Sequence, residues 1–219
     1  MGRFIEVCSV CEADVLEAAK GGAGRVELCE NLEVGGVTPS RKLLESVVRS
    51  SPVPVNVLVR PRGGDFVYSE AEEKSMADDI AMCKELGASG VVIGALRPDG
   101  SVDVEMMRRL VDAARPLSVT FHRAFDCCRD PFEALEEIVG LGCERILTSG
   151  QKESAYDGRE LLAALVERAA GRIIIMPGGG VRTHNIGEIE AVTKAAEFHS
   201  TSRGESGATE RGVVAALVG

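Results

Sequence analysis

Tryptophan is absent from the 219 residues, and Phe and Tyr bring the aromatic share to only 4%. Val, Ile, Leu and Ala must therefore fill the interior. Positive charge is in deficit as well, with 25 Lys and Arg against 34 Asp and Glu, a net charge of −9. That balance leaves no electrostatic footprint for nucleic acid or an anionic membrane, so no partner of either kind is expected. A small anionic metabolite fits only where local positive groups hold it. No apolar run reaches the length of a membrane span, and no signal-peptide pattern precedes the first strand. Linkers and low-complexity tracts are missing too, so residues 1–219 are expected to form a single domain. The seven cysteines are odd in number and scattered singly, which argues against a disulfide framework. A reduced, cytoplasmic protein is the expectation.

What the chain does contain is one event repeated eight times: a short β-branched segment, then an amphipathic one. Strands are expected over 3–8, 24–31, 53–60, 90–96, the first half of 119–126, 145–149, 173–176 and 197–201. Gly21 and Gly22 stop the first helix after Lys20, and Thr38 with Pro39 is expected to start the second. Ser69 and Glu72 read as a capping box for a helix whose apolar stripe is Met76, Ile80 and Cys83. Eight strand–helix units of this length predict an α/β fold, a closed (β/α)8 TIM barrel. The rival, an open doubly wound sheet, needs a Gly-rich turn after an early strand, whereas here that turn follows the seventh.

In such barrels the C-terminal ends of the strands form the functional face. The strand ending in VTFHRAFD (residues 119–126) points His122, Arg123 and Asp126 at that face. Side-chain parity gathers Glu6, Glu27, Asn56, Arg60, Thr120, His122, Glu197 and His199 inside the mouth. A purely structural version has Glu6 and Glu27 neutralising Arg60. Burying so many charges costs several kcal/mol unless they are paired, and packed apolar residues would hold the barrel as well, so a site is the better reading of the whole set. Its chemistry would be acid–base work by Glu6, Glu27, His122 and His199, with Arg60 holding an anion. Gly178, Gly179 and Gly180, with Ser200 and neighbouring residues after the eighth strand, occupy positions where barrels bind phosphate, and a helix N-terminus would add its dipole. Arg62, in the connection after the third strand, is a further candidate for the anion.

Cys8 and Cys29 end adjacent strands on the inward face, so their sulfurs can approach one another. Thiolates are soft ligands suited to Cu(I), or to zinc if more donors join. As small buried hydrophobes they would need no metal. Cys11 makes a lone Cys-x-x-Cys with Cys8, and no second pair completes a zinc pattern. Cys83 belongs to a helix stripe, and Cys127, Cys128 and Cys143 read as packing or loop residues.

The runs RVELCEN (25–31), GGVTPS (35–40), RPRGGDF (60–66), VTFHRAFD (119–126), LTSGQ (147–151), MPGGGV (176–181) and EFHS (197–200) resemble the CutC copper homeostasis proteins. The resemblance implies a cytoplasmic (β/α)8 barrel that forms homo-oligomers and binds a copper ion, Cu(I). The cysteines discussed as ligands in animal members fall on Cys8 and Cys29. That family continues further past the eighth strand, so residues 201–219 make a shortened C-terminal segment. Copper ligation leaves the carboxylate–Arg–His set unexplained. A barrel enzyme acting on a small, phosphorylated metabolite is the alternative expectation.

Overall fold

The computed structural model describes residues 2–204 and 207–219. Val55, Val57 and Val59 face outward into the core between sheet and helices, whereas Leu58 packs inward with Cys8, Cys29 and Val92. This alternation recurs in each strand and closes the sheet around a polar interior.

The strands are β1 (Phe4–Ser9), β2 (Arg25–Leu28), β3 (Val55–Leu58), β4 (Gly90–Ile93), β5 (Ser118–Phe121), β6 (Arg145–Thr148), β7 (Ile174–Pro177) and β8 (Glu197–Ser200). All pairings are parallel, in the order β7-β6-β5-β4-β3-β2-β1-β8, and the edge strands β7 and β8 lie side by side to complete the barrel. Helices α1 (Glu12–Lys20), α2 (Arg41–Ser50), α3 (Glu70–Leu86), α4 (Val104–Ala114), α5 (Pro131–Leu141), α6 (Arg159–Ala169), α7 (Ile186–Thr193) and α8 (Arg211–Val218) alternate with them. The expected (β/α)8 TIM barrel is therefore the observed fold.

Local signals set several of the boundaries. Ser69 and Glu72 form the reciprocal capping box at α3, and Met76, Ile80 and Cys83 are its buried residues. Asp130 caps α5 with Pro131 in its first turn. The start of α2 differs from expectation, because Ser40 is its N-cap. Thr38 is engaged elsewhere: its N–H donates to Arg60 O at 2.9 Å, and its hydroxyl accepts from Arg60 N–H at 3.0 Å. That bond ties the loop after β2 to the end of β3 and brings Arg60 to the rim.

The last helix returns to the barrel: α8 packs on α1 and β1, and Arg3 N–H donates to Val218 O at 2.8 Å. Buried Val214 and Leu217 make that contact apolar, each worth about 1.5–3 kcal/mol of transfer free energy.

Candidate functional site

Inward parity holds for the whole expected set, but its members sit at different heights. A strand rises about 3.3 Å per residue, so Glu197, the first residue of β8, lies at the floor. There Arg25 donates from Nη2 to Glu197 Oε2 at 2.7 Å, and Arg145 from Nε to the same oxygen at 2.8 Å. Arg25 Nε also pairs with Glu6. Glu6 and Glu197 are thus neutralised by Arg25 and Arg145 rather than by Arg60, and Glu27 pairs with no arginine among the described residues. Asn56 and Thr120 are likewise buried away from the mouth. Of the parity set, Glu27, Arg60, His122 and His199 reach the cavity at the C-terminal rim, which has a volume of about 200 Å³.

Cys8 and Cys29 line the same cavity, with their sulfurs 3.6 Å apart. Both are buried, and Cys11 at the start of α1 stands outside the cavity lining. Cys8 Sγ, a Glu27 oxygen and a His199 ring nitrogen all lie within 4.8 Å of one another. His199 Nδ1 donates to Glu6 Oε1 at 2.8 Å, which leaves Nε2 as its second donor atom. A carboxylate behind a histidine in this way fixes ring orientation in metal sites.

Electrostatics follow from burial and pairing. Burial raises the Glu6 carboxyl, but the hydrogen bond from His199 and the charge of Arg25 outweigh it and bring it down to about 2. Glu27 has no such hydrogen bonds. Burial, reinforced by the charge of Glu6 against His199 and Arg25, lifts it to about 7. Its Oε2 has no hydrogen-bond partner among the described residues. Burial pushes His199 down, yet Glu27 and Glu6 more than compensate and its pKa is raised. Cys8 is held well above an ordinary thiol by its hydrogen bond with Cys29, then by burial.

On the opposite wall His122 Nδ1 accepts from Ala124 N–H at 3.1 Å, which places the ring proton on Nε2. Burial, with Arg60 adding to it, lowers this imidazole to about 3, so it is neutral at pH 7. The buried Nε2 has no partner among the described residues. Arg60 is held by three carbonyls, Val34 O, Gly36 O and Gly64 O at 2.8–3.0 Å, and lies over the Phe66 ring.

The remaining candidates divide. Arg62 is turned away: it pairs with Glu72 and donates to the carbonyls of Gly63, Asp65 and Val67, organising its own loop outside the cavity lining. Gly178 N–H donates to Thr148 O at 2.9 Å and continues the barrel pairing. Gly179, Gly180 and Ser200 line the cavity, although the Ser200 hydroxyl is committed to Val181 O at 2.9 Å. The expected dipole is not at hand, since α7 begins at Ile186, beyond an intervening turn.

Sequence reading left out two residues. Arg25 shares parity with Glu27, a signal that was available at the first position of its strand. Arg182 also lines the cavity, but its loop has no periodicity from which to place it.

Comparison with known proteins adds an independent line. Residues 3–204 match the CutC family. A CutC family protein from Parabacteroides distasonis is 57% identical over 204 residues, covering 93% of this chain and 84% of that protein. The human copper homeostasis protein cutC homolog is 48% identical over 202 residues, covering 92% and 74%. A crystal structure of a CutC protein from Streptococcus agalactiae superposes with a TM-score of 0.87 at 35% identity, covering 91% of this chain and 98% of that one.

Proposed function

The chain belongs to the CutC family of copper homeostasis proteins, and from that premise we propose that it takes up Cu(I) through Cys8 and Cys29 at the barrel mouth. The observation that carries this reading is the 3.6 Å separation of two buried sulfurs that line an open cavity. Thiolate–metal bonds are about 2.3 Å long in zinc sites, so one ion of similar size reaches both sulfurs without moving either strand. Soft sulfur donors select Cu(I). Glu27 and His199, beside Cys8, supply harder donors that a monovalent ion can leave unused. A homo-oligomer in the cytoplasm completes the proposal, a reading taken from the family resemblance.

Anaerobic titration with Cu(I) against a competing chelator tests it. The parent protein is expected to withdraw one equivalent, and the C8S/C29S double variant to withdraw none. Equal affinity in parent and double variant overturns the reading.

A second reading rests on a different observation. Glu27 Oε2 and His122 Nε2 are buried polar atoms without partners among the described residues, each an unmet desolvation penalty of about 1–3 kcal/mol unless a ligand satisfies it. Glu27 and His199 on one wall and the neutral His122 on the other suit acid–base chemistry on a small metabolite. Glu6, beneath the cavity, would position His199 rather than meet substrate. Turnover of a candidate metabolite that is lost in H122A supports this enzyme. Persistence of turnover in H122A and E27Q removes it.

A further inference from the structure

We propose that the wall of the cavity between β5 and β7 is a binding site for the phosphate group of a small phosphate monoester, held by Arg123, Arg182, His122 and the backbone N–H groups of Gly179 and Gly180. The inference deepens the second reading above by naming a substrate class, but it requires binding only and not turnover.

The cations are placed and incompletely used. Arg123 donates from Nε to Asp126 Oδ2 at 2.7 Å and from Nη2 to Ser149 Oγ at 3.0 Å. These bonds fix the guanidinium and leave Nη1 over. A Cβ built on Gly179 would stand 3.3 Å from Arg123 Cζ and 3.4 Å from its Nη1, so the glycine lets main chain and guanidinium share one corner. Gly179 and Gly180 have φ of +88° and +72°, which favours glycine at both. Their N–H groups have no acceptor among the described residues, while their carbonyls are held by Ala155 N–H and Asn185 Nδ2. The Arg182 side chain gives one hydrogen bond among the described residues, from Nη1 to Val181 O at 2.8 Å, and pairs with no carboxylate among them. The independent pointer to a ligand is His122, only 4% exposed, which lines this cavity with an Nε2 that has no partner among the described residues.

Donor number and charge select the ligand. A carboxylate offers about four lone-pair sites on two oxygens. Two guanidinium groups, two main-chain N–H groups and one imidazole N–H exceed that and match the three terminal oxygens of a phosphate monoester. Arg123 is already paired with Asp126, so the charge that meets the dianion comes from Arg182 and from Arg60, which lines the same cavity and is held by carbonyls rather than by a carboxylate among the described residues. At about 200 Å³ the cavity is below the roughly 300–1,000 Å³ of drug-sized pockets, which limits the ester to a few carbons.

Calorimetry on metal-free, thiol-reduced protein at fixed ionic strength tests the site, with glycerol 3-phosphate, inorganic phosphate, lactate and glycerol as probes. Glycerol 3-phosphate is expected to bind more tightly than lactate, inorganic phosphate to compete with it, and glycerol to give no heat. R182Q is expected to weaken the ester by about tenfold or more, and R182K, which keeps the charge but loses the fork, by less. Thermal melts confirm that both variants are folded. Absence of saturable ester binding, equal binding of lactate, or unchanged affinity in R182Q overturns the proposal. Because no metal is present, its failure is separate from that of the Cu(I) reading, and because only binding is read, from that of turnover.

Discussion

His199 Nδ1 donates to Glu6 Oε1 at 2.8 Å beneath the cavity, and Glu6 is in turn gripped by Arg25. The pair turns a buried histidine into a fixed element of the mouth. Its two charges stabilise each other. Glu6 has its carboxyl lowered to about 2, so its contribution is complete above the ordinary value of 4.5 and is lost as pH falls toward 2. His199 has its pKa raised above 6.5, so its contribution is complete below 6.5 and is lost as pH rises through the native value. E6Q removes the charge and leaves one acceptor oxygen, which can serve His199 or Arg25 but not both, with an amide N–H facing the other donor. Urea unfolding at pH 7 is expected to show a loss of about 3–5 kcal/mol, as for other broken buried pairs. The His199 pKa, followed by NMR, is expected to fall.

Glu27 works in the opposite sense. Its native pKa of about 7 exceeds the ordinary 4.5, so the folded protein holds a proton that the unfolded chain releases between those values. Stability contributed by Glu27 is complete below 4.5, declines across that window, and is lost above 7. E27Q carries no charge at any pH. It is expected to be more stable than the parent at pH 8, by on the order of 2–3 kcal/mol, with the advantage vanishing near pH 4.5. His122, lowered to about 3, gains stability with rising pH up to 6.5. It is present in both proteins and cancels in the difference, whereas the contribution of His199, which Glu27 does most to raise, falls with the carboxylate and reduces the advantage; paired melts at pH 5 and pH 8 read the sum.

The Cys8 thiol is held well above its usual range by Cys29 and by burial. A metal ion must therefore displace its proton on binding. Apparent Cu(I) affinity is expected to rise about tenfold per pH unit for each proton released. Chelator competition at pH 6, 7 and 8 checks this, and a flat profile would mean that Cys8 is not a ligand.

Parity was legible in the sequence; height was not. Alternation alone placed Glu6, Glu27, Arg60, His122, Glu197 and His199 inside the barrel, and all six are there. Which end of the barrel each one serves depends on how far along its strand it falls, and the observed strands are mostly four residues long. The expected strand over 197–201 therefore put Glu197 at the mouth when it is the first residue of β8, on the floor with Arg25. Arg62 shows a second limit. It has five donors and sits among the carbonyls of a tight loop, and these outcompete a distant ligand in a way that no spacing reveals. The Cys8–Cys29 approach was legible because neighbouring parallel strands in register leave little freedom.

Gly94 carries a test of the His122 wall. A Cβ there would lie 2.6 Å from His122 Nδ1 and 2.7 Å from Cε1, with Ala124 Cβ at 3.2 Å. The ring cannot yield without breaking its bond from Ala124 N–H. G94A is expected to destabilise by about 1–3 kcal/mol, as overpacked cores do. It is also expected to weaken glycerol 3-phosphate more than R182K does. Denaturant midpoints and calorimetry on the same sample separate the two effects.

Asp126 gives the last and broadest expectation. Its carboxylate accepts from the Thr148 hydroxyl, from the N–H groups of Ser149 and Gln151, from the Ser149 hydroxyl and from Arg123 Nε. The loop after β6 and the guanidinium over Gly179 thus share one anchor. D126N replaces one acceptor oxygen by a donor facing other donors, so at least one of these bonds must open and Arg123 loses its ion pair. Charge-assisted hydrogen bonds of this kind contribute about 1.5–3 kcal/mol each. The variant is expected to lose about that much stability. Hydrogen exchange should accelerate at Ser149 and Gln151, while the amides of β1 and β2 remain protected. If only the global rate changes, Asp126 contributes to the barrel as a whole and does not set the position of Arg123.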